Sequence, residues 1–204
     1  MLAAYRAVLE TLLNEQTFPD GSKAEYDGYG ALTDNLFAVY DVDGDGEDEL
    51  IISFTTSYMA GMTAYVYGYE TDGAGIYSEL SAFPALEFYS GGLIKALWSH
   101  NQGKAGDSFW PYDVYTYAPG TDTYNFSASI DAWDRDIDTE NYPADVDAEK
   151  AGMVYYVMEG GWNGNTPPIS QADFDAWHTS VFGDAVMLDI PYQNLTPENI
   201  AAIG

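Results

Sequence analysis

Residues 41 to 49, Asp-Val-Asp-Gly-Asp-Gly-Glu-Asp-Glu, place six acids in nine positions between two apolar runs, LFAVY before them and LIISF after. Carboxylates at this density repel one another, so a fold that keeps them together must offset their charge. A hard cation such as calcium takes about six to eight oxygen ligands, and acids at positions 1, 3 and 5 of a loop can converge on one point. Asp41, Asp43 and Asp45 have that spacing. Gly46 at position 6 permits a sharp turn, the Glu47 carbonyl stands at position 7, and Glu49 at position 9 can close the coordination sphere. An ordinary acidic hairpin turn explains neither this spacing nor the glycines at 44 and 46. The segment is therefore expected to bind Ca2+ through Asp41, Asp43, Asp45, Glu47 and Glu49, and to join two β-strands.

The surrounding sequence narrows the type of loop. An EF-hand places an acid at position 12 and helices on both sides, whereas position 12 here is Ile52 and both flanks are β-formers. Dockerin loops come in a duplicated pair leading into helices, and this chain has one copy. The segment looks more like the calcium hairpins of integrin-type repeats, although those occur in tandem. Residues 36 to 52, LFAVYDVDGDGEDELII, carry a DxDGDGxxEL pattern. They resemble an uncharacterised group of secreted or lipid-anchored proteins of Gram-positive gut bacteria, in which such a segment follows a helix and leads into a Tyr-rich sheet. The resemblance covers the helix at 2 to 15, the loop and the next strand or two; Asp48 stands where these segments often carry Pro. It implies a surface location and a calcium site at Asp41, Asp43, Asp45 and Glu49, and no particular activity.

Elsewhere the chain reads as α+β, a largely antiparallel sheet with an N-terminal amphipathic helix and C-terminal helices, in a single domain over 1 to 204. Leu2, Tyr5, Val8, Leu9, Leu12 and Leu13 form one apolar helical face over 2 to 15. The calcium hairpin spans 35 to 56, and a Tyr-rich sheet is expected over 62 to 159. Its candidate strands are 62 to 70, 76 to 83, 92 to 99, 112 to 118, 124 to 129 and 151 to 159. A weaker echo of the loop, Asp72-Gly73-Ala74-Gly75 with Glu79, lacks the position 5 acid and reads as a hairpin turn. Residues 131 to 150, with eight acids and two bases, suggest an exposed excursion or a short acidic helix. In the C-terminal helical part, 170 to 204, Ser170 with Asp173 reads as a cap, Gly183 as a stop, and Thr196-Pro197 as a second helix start.

Composition excludes several chemistries. Acidic residues outnumber basic ones 33 to 6, giving a formal charge of −27, which makes nucleic acid and anionic membranes poor partners. The chain has no cysteine, so disulfides, thiolate catalysis and Cys-based metal sites are excluded. No apolar run approaches the ~20 residues of a membrane helix. His100 and His178 lack any zinc spacing and read as structural. Nucleophile elbows, phosphate loops and dinucleotide fingerprints are absent. Trp110 beside Pro111, and Trp162 in a Gly-rich polar loop, are the candidates for stacking against a sugar ring.

Extracellular calcium modules bind at ~10⁻⁴ to 10⁻³ M, a range matched to external calcium and not to resting cytosol. The expected function is therefore a calcium-stabilised extracellular or cell-surface module of a bacterial protein, engaged in ligand binding or adhesion, with any export signal outside the given sequence. Carbohydrate or a surface protein is the expected partner. A carbohydrate-active hydrolase using a carboxylate pair and a structural spacer without ligand are the alternatives.

Overall fold

The structure, a computed structural model, describes residues 1–28, 30–71, 73, 75–101 and 103–204. Two five-stranded antiparallel sheets, an N-terminal helix and C-terminal helices make an α+β fold. The chain, read from sequence as one stretch over 1 to 204, is organised in two compact units, each with its own core. The first comprises Met1–Leu86, Ala118–Tyr124 and Leu188–Gly204, and the second Glu87–Tyr117 and Asn125–Met187.

The first unit opens with α1, Leu2–Glu15, which buries Tyr5, Leu9 and Leu12 completely. Gln16 then turns into the left-handed region at φ 53° and its N–H caps Leu12 O at 3.0 Å, which ends the helix. Strands β1 (Leu36–Tyr40) and β2 (Glu49–Phe54) flank the acidic loop and pair antiparallel, with Tyr40 opposite Glu49. β3 (Thr63–Glu70) and β4 (Gly75–Ala82) follow. A two-residue strand near the C-terminus, Gln193–Asn194, adds to the far edge of β1. Leu50, Ile52 and Phe54 point from β2 into the core that α1 covers, together with Phe37, Tyr67, Leu195 and Ile200. The tyrosines at 65, 67 and 69 belong to this packing: Tyr65 stacks on Tyr67 at 5.2 Å, and Tyr69 meets Tyr5 edge-on at 6.4 Å. β3 and β4 pair antiparallel from Glu70 opposite Gly75; of the turn expected at 72 to 75, Asp72 and Ala74 lie outside the described residues.

The Tyr-rich run over 62 to 159 is divided between the two sheets. The second sheet consists of β5 (Leu86–Tyr89), β6 (Leu93–Leu97), β7 (Tyr112–Ala118), β8 (Thr123–Asp134) and β9 (Met153–Glu159), in that spatial order; with it, the C-terminal Gln193–Asn194 strand becomes β10. Residues 131 to 134 extend β8, because they pair with 153 to 156 of β9, and the acidic stretch after them forms turns rather than a helix. α2 (Gln171–Phe182) packs Phe174 on Tyr155, stacked at 4.1 Å. Ser170 accepts a hydrogen bond from the Asp173 N–H and Gly183 ends α2, as the sequence indicates. In the first unit, α3 (Pro197–Ala201) starts on a Thr196 cap. No helix among the described residues is long and apolar enough to cross a membrane.

Candidate metal centre

The acidic loop closes the β1–β2 hairpin by turning its own carboxylates onto its backbone. Asp41 accepts from the N–H groups of Gly44 at 2.7 Å and Gly46 at 3.2 Å, Asp43 from Asp45 at 2.9 Å, and Asp45 from Glu47 at 2.8 Å. Gly44 and Gly46 have φ of 84° and 96°, a region costly for any residue with a Cβ, which explains why glycine stands at both positions. The Tyr5 hydroxyl donates to the Asp48 carbonyl at 2.8 Å, so α1 tethers the loop directly.

This arrangement brings one oxygen each of Asp41, Asp43 and Asp45 within 4.8 Å of one another. Oxygens bound to one calcium at about 2.3 to 2.6 Å lie no further apart than roughly that distance. Asp43 is buried, Asp41 half-buried and Asp45 exposed, so the triad faces partly outward. Glu49 is buried, and its carboxylate accepts from the Val42 N–H at 2.8 Å, holding the two ends of the loop together. Glu47 is exposed, with its N–H on Asp45. The geometry thus gathers three of the five residues read from the sequence, while Glu49 braces the loop from its base.

A second group forms beneath the first. Asp43 also lies with Glu79 of β4 and Asp122 of the β7–β8 turn, again with one oxygen of each within 4.8 Å of the others. Asp122 adopts φ 51°, a left-handed conformation that Asp tolerates better than most residues, and its carboxylate accepts from the Tyr77 hydroxyl. Burial pushes the Glu49 carboxyl up to about 9, with Asp43, Glu79 and Asp45 adding to the shift against the opposing Val42 N–H. Burial likewise raises Glu79 to about 8, with Asp43, Asp122 and Asp45 contributing. The Tyr124 hydroxyl is driven far above its usual range by burial and then by Asp43, Glu79, Glu49 and Asp41.

The sequence pattern marks Glu79 only with the echo at 72 to 75, read as a hairpin turn, and does not single out Asp122, because neither residue lies near the loop in the chain. The available signal was an acid two residues after Tyr77 in a run otherwise suited to a sheet.

The second unit holds a cleft of about 390 Å³ lined by Trp98, Lys104, Asp131, Trp133, Tyr156 and Trp162 among others. Trp162 is 68% exposed at its rim, and Lys104 Nζ sits 3.5 Å over the Trp133 ring. Trp110 is not among the lining residues; its indole N–H donates to the Trp98 carbonyl at 2.8 Å. Gly103 lets the backbone pass Asp131 where a Cβ would collide with its carboxylate. Burial raises the Asp131 carboxyl above the usual carboxylate range. Neither histidine belongs to either acidic group: His178 stacks on Phe182 at 4.6 Å, and His100 contacts the Ser99 hydroxyl at 2.8 Å.

Comparison with protein-family models, with curated proteins and with solved structures finds no match for this chain.

Proposed function

We propose that the protein is a calcium-stabilised extracellular module of a bacterial surface protein that binds a ligand through the aromatic cleft of its second unit. The observation that carries the calcium reading is the convergence of Asp41, Asp43 and Asp45 within 4.8 Å on a hairpin whose glycines are both left-handed. All the donors are oxygens, which suits a hard cation. An extracellular setting follows from the affinity such loops reach, about 10⁻⁴ to 10⁻³ M.

The cleft supports ligand binding over hydrolysis. Trp98, Trp133 and the exposed Trp162 beside Lys104, Asp131 and Asn163 suit the apolar face and hydroxyls of a sugar. A glycosidase needs two carboxyl groups about 5 to 9 Å apart across the scissile bond. Asp131 is the one acid among the described lining residues.

The test is thermal melting of chelator-stripped protein with and without millimolar Ca2+. At about 1 mM the ion stands at roughly 1 to 10 times the dissociation constant of such loops and stabilises by about 0.4 to 1.4 kcal/mol, or roughly 1 to 5 °C for a chain of this size. Asp43→Ala should remove that rise. An unchanged melting curve in the wild type would sink the calcium reading.

A further inference from the structure

We propose that the protein holds a second divalent cation, bound by Asp43, Glu79 and Asp122 and bridged to the loop ion through the Asp43 carboxylate. The inference rests on reading the loop as a cation site, because Asp43 is common to both groups, and it adds a position that the loop pattern does not contain.

The first support is geometric. Oxygens that share one ion must all lie within about twice the metal–oxygen distance of each other. Two triads meet that condition, Asp41 with Asp43 and Asp45, and Asp43 with Glu79 and Asp122, and they have Asp43 alone in common. A carboxylate has two oxygens and so can serve two neighbouring ions, which in paired sites stand about 3.5 to 4 Å apart.

The second support is Glu79 itself. It is only 5% exposed, and no hydrogen-bond partner among the described residues reaches its Oε2. A buried carboxylate oxygen without a partner is costly, and coordination of a cation removes that cost. The charges that act on Glu79 are those of Asp43, Asp122 and Asp45, all negative.

The backbone is built around this side chain. In the β3–β4 ladder Val66 pairs with Leu80 and Tyr67 with Ser78, so the register shifts and Glu79 has no residue opposite. A bulge of this kind redirects one side chain at the expense of a regular ladder. As a result Glu79 and Leu80 are both buried, although an unbroken strand would send them to opposite faces. Opposite Tyr77, Gly68 leaves the space that Tyr77 and Glu79 fill; a Cβ there would overlap both. Tyr77 in turn holds Asp122 by its hydroxyl.

The experiment is equilibrium dialysis of chelator-stripped protein against Ca2+, with bound metal counted by atomic absorption and folding checked by circular dichroism. The wild type should bind two ions per chain. Glu79→Gln and, separately, Asp122→Asn should each bind one, and Asp45→Asn should also bind one by losing the loop ion instead. Asp122→Asn decides the matter if Glu79→Gln does not fold, since Asp122 lies in a turn. A wild type with a single ion overturns the proposal, as does a stoichiometry of two in folded Glu79→Gln. A single ion that Asp41→Asn abolishes and Glu79→Gln keeps overturns this proposal alone. No bound ion at all overturns it together with the calcium reading of the loop.

Discussion

Glu49 and Glu79 are carboxyl groups placed where a charge is hardest to keep. Both are buried beside other acids, which pushes them up to about 9 and about 8 from a value of 4.5. In metal-free protein the unfolded chain therefore releases these protons near pH 4.5, whereas the folded chain keeps them until pH 8 to 9. Their contribution is fully present below the lower value and lost as pH rises through the upper ones. Chelator-treated protein should accordingly melt at a lower temperature at pH 8 than at pH 5.5. Excess Ca2+ should shrink the difference, and Glu79→Gln should make the chelated profile shallower while leaving the share of Glu49. A chelated melting temperature that climbs between those pH values would contradict this account. The convergence of the loop's carboxylates was legible from the sequence because Asp41, Asp43 and Asp45 are local neighbours in a fixed spacing. Glu79 and Asp122 were not, because their meeting with Asp43 depends on sheet pairing that no short pattern encodes.

At the scale of elements, period and punctuation were enough for most of the fold. The face of α1 containing Tyr5, Leu9 and Leu12 has helical spacing and is buried as read. β7 starts and ends where the alternation does, at Tyr112 and Ala118. What escaped were the short strands β5 and β10, too brief for any period to register, and the extension of β8 through Asp134, where partner residues 153 to 156 overrode an acidic composition. The register shift in β3–β4 escaped as well, since nothing local separates Ser78-Glu79-Leu80 from a regular strand. That irregularity gives its own prediction. Gly68→Ala adds a methyl group into space held by Tyr77 and Glu79, and overpacking of this kind costs about 1 to 3 kcal/mol. Urea denaturation in millimolar Ca2+ should report that loss. A variant as stable as the wild type would show that the two side chains relax without penalty.

On the scale of the whole molecule, the acidic groups and the aromatic cleft belong to different units with separate cores. Trp162→Ala should weaken binding to soluble oligosaccharides by about two- to tenfold, the loss of one good stacking contact. Its calcium-induced rise in melting temperature should equal that of the wild type. Loss of the calcium response in that variant would argue against independent roles. The three carboxylates that meet at Asp43 have a further consequence for a chain with no cysteine. A cation held there ties together positions 43, 79 and 122, closing long loops of the backbone much as a disulfide does. By the chain-entropy estimate a covalent closure of that length restricts the unfolded ensemble by about 4 kcal/mol. Unlike a covalent bridge, such a clasp would form and open with the concentration of the cation, so the protein would tighten where the ion is abundant and loosen where it is scarce.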